Sequence, residues 1–149
     1  MIEFVRTKAD NPDFINLVNE LDDYLTVTDG DEHNFYHQFN GLQNIHHVIL
    51  GFENNKAVAC GAIKEQEPGI TEVKRMYTKP NHRGLGIASK LLEQLEIWAK
   101  ELGYQKCRLE TGNRQLEAVR LYHKSGYTVI PNYGQYKGVK NSICFEKKL

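Results

Sequence analysis

Neither sign of charge is in excess in this sequence: 19 lysines and arginines stand against 19 aspartates and glutamates. That balance argues against a protein that holds nucleic acid, an anionic membrane or an acidic tail through a global field, so a charged ligand must be met by local groups. Long apolar runs are missing as well. The longest, Val48 to Leu50 and Ala57 to Ile63, fall far short of the roughly 20 residues that span a bilayer. No basic segment followed by an apolar stretch opens the chain. A soluble, cytoplasmic protein is expected, without nucleic-acid or membrane partners.

Cysteine is scarce and odd in number. Cys60, Cys107 and Cys144 lie far apart, form no Cys-x-x-Cys pair and accompany no secretion signal, which favours reduced, buried thiols over bridges and gives little ground for an acyl-carrying nucleophile. Internal repeats, linkers and low-complexity segments are absent too. At 149 residues the chain has the length of one domain, expected to span 1–149.

What is present is a clear succession of periodic segments. "MIEFVR" reads as a strand, and Asn11-Pro12 opens a helix whose Phe14, Leu17, Val18, Leu21 and Leu25 recur at helical spacing. "TDGDEHNFYHQFN", with Phe35 and Phe39 four apart, suggests a second, shorter helix. Two runs rich in Val, Ile and Ala, His46 to Glu53 and Lys56 to Lys64, flank Asn54-Asn55 and predict an antiparallel hairpin. After Pro68-Gly69, Ile70 to Lys79 is the next strand, with Val73, Arg75 and Tyr77 expected on one face.

Ile87, Ala88, Leu91, Leu92, Leu95, Trp98, Ala99 and Leu102 then form one apolar stripe closed by Gly103, a helix that packs on a sheet. Lys106 to Thr111 is a strand, Arg114 to Ser125 a helix ended by Gly126, and Tyr127–Ile130 and Ser142–Lys147 a last strand pair joined by "PNYGQYKGVKN". The strand–helix–strand unit from Ile70 to Thr111 requires a right-handed crossover and parallel pairing. The fold class is therefore α/β: one mixed, mostly antiparallel sheet of six or seven strands with about four helices.

Glycines stand where that long helix begins. Arg83-Gly84-Leu85-Gly86-Ile87-Ala88 follows a strand, and glycines there either only turn the chain or let an anion approach bare backbone N–H groups. The P-loop pattern is missing, since no Gly-Lys-Ser/Thr occurs, and the dinucleotide fingerprint lacks its third glycine or alanine. Arg83-x-x-Gly86-x-Ala88 instead resembles the acyl-CoA pyrophosphate loop of the GNAT superfamily of N-acetyltransferases. "TEVKRMYTKPNHRGLGIASKLL" looks like that family's fourth strand and following helix, and "LETGNRQLEAVRLYHKSGY" is similar to its fifth strand and next helix.

The resemblance implies a sheet whose fourth and fifth strands splay apart, acetyl-CoA as acyl donor, no metal, and transfer to the primary amine of a small molecule within a ternary complex. It places the cofactor against Arg83, Gly84, Leu85, Gly86, Ile87 and Ala88, with Lys79 and Lys90 adding charge, and against backbone groups of Met76, Tyr77 and Thr78 freed by a bulge. Glu72 matches the strand-four carboxylate that serves as general base in many relatives, or is an ordinary strand carboxylate. Tyr122 matches the tyrosine that protonates the departing thiolate, or is a packing aromatic. Asn113 matches a cofactor-contacting asparagine, or caps the next helix. Family members often dimerise, so a homodimer stays open.

The acceptor side is less defined. Asp22, Asp23, Asp29, Asp31 and Glu32, with Tyr24, His33 and Tyr36, either favour a cationic amine or form a solvated face. Tyr133 and Tyr136 either wall the acceptor site or cover the core. His33 and His37 are four apart but lack the companions of a metal site. Rival readings are a non-catalytic acyl-CoA sensor, an acetyltransferase of a protein or peptide amine, and a nucleotide-binding regulator.

Overall fold

The computed structural model of the chain describes residues 1–29 and 44–149. Strands β1 (Glu3–Thr7), β2 (His47–Glu53), β3 (Lys56–Glu67), β4 (Ile70–Thr78), β5 (Lys106–Gly112), β6 (Thr128–Ile130) and β7 (Ser142–Lys148) form one sheet in the order β1-β2-β3-β4-β5-β7-β6. Helices α1 (Pro12–Asp29), α2 (Ile87–Glu101) and α3 (Leu116–Lys124) complete it. The described residues hold three α-helices where about four were expected. The second expected helix, over 28–40, falls almost wholly outside them.

Local chemistry accounts for most boundaries. Asn11 caps α1, its Oδ1 accepting from the Asp13 N–H at 2.9 Å while Pro12 fills the first turn. Asn54 and Asn55 take φ of 49° and 66°, the left-handed pair that a two-residue hairpin needs. The sheet buries both faces by strand alternation. Val48 and Leu50 join Phe14, Leu17 and Leu21 under α1, while Ile49 between them joins Leu91, Leu92, Leu95 and Phe145 under α2.

Strand β4 departs from regular alternation. Cys60 pairs with Tyr77 and Ala62 with Lys74, so Arg75 and Met76 together oppose Gly61. This is a β-bulge, and Arg75 carries it with φ 58°, a left-handed value that costs a non-glycine residue about 1–3 kcal/mol. The expectation that Val73, Arg75 and Tyr77 share one face is corrected accordingly. Val73 packs in the α2 core and Tyr77 in the α1 core, because the extra residue inverts the alternation. The Arg75 guanidinium turns toward α1, where Nη2 meets Asp22 Oδ1 at 2.6 Å and the Val18 carbonyl at 3.4 Å.

Gly61 makes room for the bulge. A Cβ there would lie 2.5 Å from Met76 Sδ, 2.7 Å from Leu91 Cδ2 and 2.9 Å from Leu95 Cδ1. Gly61→Val is therefore expected to cost about 1–3 kcal/mol by overpacking, read as a lower urea midpoint at unchanged slope.

The parallel pairing of β4 with β5 is confined to Ile70–Glu72 against Lys106–Arg108. Beyond Glu72 the facing edges of the two strands have no strand partner, which is the splay that the resemblance implied.

Candidate functional site

The glycine loop lies at the mouth of α2. Gly84 and Gly86 have φ of 78° and 79°, yet a Cβ at either would meet nothing within 4 Å. Backbone conformation requires glycine there, and the space around it is open. Gly86 is the N-cap of α2 and supplies no side-chain cap. Among the described residues, the N–H groups of Gly84 to Ser89 donate to no backbone carbonyl. A row of unsatisfied donors at the positive end of a four-turn helix is an anion cradle. Arg83 ties it to the sheet: Nε donates to the Thr78 carbonyl at 2.9 Å, and the guanidinium lies 5.2 Å from the Tyr24 ring and 5.6 Å from the Tyr77 ring.

A cavity of about 460 Å³ runs from this loop along the splayed strands to α3. Met76, Tyr77, Thr78, Arg83, Gly84, Gly86, Ile87 and Ala88 line it on one side, Gln115, Ala118, Arg120 and Tyr122 on the other. A smaller cavity of about 100 Å³ lies where β4 and β5 have parted, lined by Glu72, Lys74, Glu110, Thr111 and Tyr136. The two meet at Leu21, Met76, Gln115, Ala118 and Tyr122. One ligand reaching along the larger cavity and another held in the smaller would come together at that junction.

Tyr122 stands at the junction, held on α3 with its ring against Tyr127 and Phe145, at centroid distances of 5.9 and 5.8 Å. Burial, and then the Glu110 carboxylate, push its phenol well above the ordinary value, so it stays protonated at physiological pH. Glu72, inside the smaller cavity, is buried. Its Oε2 accepts from the Tyr133 hydroxyl at 2.6 Å, and Lys74 Nζ lies 3.6 Å from its Oε1. Glu110 accepts from Ser142 Oγ at 2.6 Å.

Other expected residues fall elsewhere. Asn113 is exposed at the end of β5, with its N–H on the Asn141 carbonyl and its Nδ2 3.4 Å from Asn141 Oδ1, and it lines neither cavity. Nor does it cap α3, whose N-cap is Gln115. Leu85 is exposed at the loop's tip, Lys90 is exposed, and Lys79 pairs with Glu20 at 3.4 Å. Of the acidic wall, Asp22 is engaged by Arg75 and Asp23 is exposed. Asp31, Glu32, His33, Tyr36 and His37, like the Asp29 side chain, lie outside the described residues.

Lys74, Glu110, Gln115 and Ala118 are among the cavity residues missed as site residues in the sequence. Their only signal is position: Lys74 and Glu110 lie two residues beyond the paired Glu72 and Arg108, and Gln115, Ala118 and Tyr122 fall on one face of α3.

The chain is similar to an IAA acetyltransferase of Azospirillum brasilense, 34% identical over 137 residues that cover 91% of this chain and 90% of that protein. It superposes on a Klebsiella pneumoniae protein assigned as an acyl-CoA N-acyltransferase with a TM-score of 0.85 and 31% identity, covering 100% of this chain and 98% of that one. A GNAT-family acetyltransferase of Elizabethkingia anophelis, solved with acetyl-CoA bound, shares the fold at a TM-score of 0.73 and 20% identity, covering 99% and 98% of the two chains. The profile of the Acetyltransferase (GNAT) family matches residues 14–127, most of the chain, and the chain belongs to that family.

Proposed function

We propose that the protein, as one acetyltransferase domain over 1–149, moves an acetyl group from acetyl-CoA to the primary amine of a small molecule by direct transfer in a ternary complex. The observation that carries this reading is the meeting of the two cavities at Tyr122, one leading to the glycine loop and the other to Glu72. The residues present suit the donor. Uncapped N–H groups at the start of α2 would take the pyrophosphate, and the unpaired edge of β4 at Met76, Tyr77 and Thr78 would take the pantetheine arm. Acetyl-CoA would supply a thioester carbonyl carbon open to attack.

The chain's own groups then divide the proton work. Glu72, directly or through water, takes a proton from the incoming ammonium so that a neutral amine can attack. Backbone N–H groups of the β4 edge face the charge that develops on the carbonyl oxygen. Tyr122 Oη gives its proton to the departing sulfur, and the second proton that the nitrogen sheds on becoming the amide restores the phenol. Direct transfer is supported by the cysteines: burial pushes the Cys60 and Cys107 thiols up to about 12 and the Cys144 thiol up to about 11, leaving no thiolate to carry the acyl group at neutral pH. The size of the smaller cavity and the similarity to an IAA acetyltransferase favour a small acceptor over a protein one.

The test is incubation with acetyl-CoA and a panel of amino acids, polyamines, aminoglycosides, amino sugars and short peptides, with products read by mass. An acetylated small amine is expected. Acetyl-CoA binding without transfer to any amine would overturn the enzyme reading in favour of a sensor. With the acceptor in hand, Tyr122→Phe should lower kcat by about 10- to 100-fold while the Kd for acetyl-CoA changes less than about 3-fold. Equal turnover would remove Tyr122 as the acid.

A further inference from the structure

The connection between β6 and β7 brings Tyr133 to Glu72 across 61 positions of sequence, with the hydroxyl 2.6 Å from Oε2. Both residues are buried, at 7% and 6% exposure, so this charge-assisted bond is shielded from water. Burial, and then the Glu72 carboxylate, push the Tyr133 phenol far above its ordinary value, and it remains a donor at any pH the protein meets.

The loop around Tyr133 is braced to keep it there. Asn132 Nδ2 donates to the Tyr136 carbonyl at 3.1 Å and to the Val139 carbonyl at 2.9 Å, tying the loop across its base. The Tyr133 ring packs edge-on against Tyr136 at 5.7 Å and lies under the Arg108 guanidinium at 5.5 Å. Arg108 is fixed in turn by Glu146, 2.8 Å from its Nε. A carboxylate on a strand beside a cavity would otherwise sample several rotamers. Here one oxygen is engaged, and the other, Oε1, stands beside Lys74 Nζ at 3.6 Å.

We propose that Tyr133 is a positioning residue of the acetyl transfer. By engaging Oε2 it holds the Glu72 side chain in one orientation, so that Oε1 is the atom that takes the acceptor's proton. This rests on the reading of Glu72 as the general base. A proton acceptor misplaced by even about 1 Å loses much of its effect, which is why one phenol that touches no substrate can govern turnover.

The test is a double-mutant cycle of Tyr133→Phe and Glu72→Gln, read with the acceptor found in the amine panel. Tyr133→Phe keeps the ring contacts and should lower kcat by about 10-fold, with the KM for acetyl-CoA and the Tm near those of the parent. In the Glu72→Gln background the same change should alter kcat by less than about 2-fold, since there is no base left to position. Wild-type turnover in Tyr133→Phe beside a disabled Glu72→Gln overturns the positioning role alone. An equal fall in both backgrounds also overturns it, pointing to a brace of the fold. Full turnover in Glu72→Gln instead overturns the general-base reading. Tyr133→Met, flexible enough to refill the space, serves the same cycle if the phenylalanine variant does not fold.

Discussion

Glu72→Gln should lower kcat/KM for the acceptor amine by about 10²- to 10⁴-fold, the range that a positioned general base contributes. Glutamine is nearly isosteric, and its carbonyl oxygen can still accept from Tyr133, so the wall of the smaller cavity is preserved. What is removed is the negative charge and the capacity to hold a proton. The larger cavity does not include Glu72, and the Kd for acetyl-CoA should therefore be almost unchanged. Steady-state rates with the identified acceptor, together with calorimetric binding of acetyl-CoA, separate the two effects. A loss confined to acetyl-CoA affinity, or a kcat/KM within about 3-fold of the parent, would place the base elsewhere. Glu110, the second carboxylate of the same cavity, would then be the residue to test.

The parts of this site written in local sequence were legible, and the parts assembled from distant segments were not. The α2 stripe, the hairpin at Asn54-Asn55 and the glycines before α2 are short-range signals, each set by periodicity or by a backbone conformation that few residues tolerate. The bulge is different. Left-handed φ is ordinarily flagged by glycine or asparagine, and here it falls on Arg75, so alternation alone predicted the wrong face for Val73 relative to Tyr77. Tyr133 was legible as a wall or cover but not as a partner of Glu72, because nothing in sequence joins positions 61 apart.

Asn113 is placed by a local turn that the motif does not spell out. Its position in the motif fits a cofactor contact, but the turn from Gly112 to Gln115 directs it to Asn141 and delays α3 to Leu116, two residues beyond the expected start. The acidic run after Leu21 looked like an attractive wall for a cation. Its member Asp22 is instead engaged by a buried arginine from β4.

Removing that partner should lower stability substantially. Asp22→Ala is expected to cost about 3 kcal/mol, the lower end of the range for breaking a buried pair, because Asp22 is itself 28% exposed while the Arg75 side chain is 2% exposed. Among the described residues the guanidinium would keep only the long contact to the Val18 carbonyl, and its Nε already lacks a hydrogen-bond partner there. The loss should also reach the site. Asp22 engages the Arg75 side chain, and the left-handed conformation of Arg75 sets where Met76 stands at the cavity junction and Tyr77 in the larger cavity. Urea unfolding measures the first effect, and kcat at temperatures where the variant is fully folded measures the second. Arg75→Gly in the Asp22→Ala background provides the sharper comparison. Glycine adopts a φ of 58° without strain and removes the orphaned charge, so the double variant should be more stable than Asp22→Ala alone. If Asp22→Ala cost less than about 0.5 kcal/mol, the ion pair would not be what holds the bulge, and the strain at Arg75 would have to be borne by the packing of Met76 against Gly61 and α2.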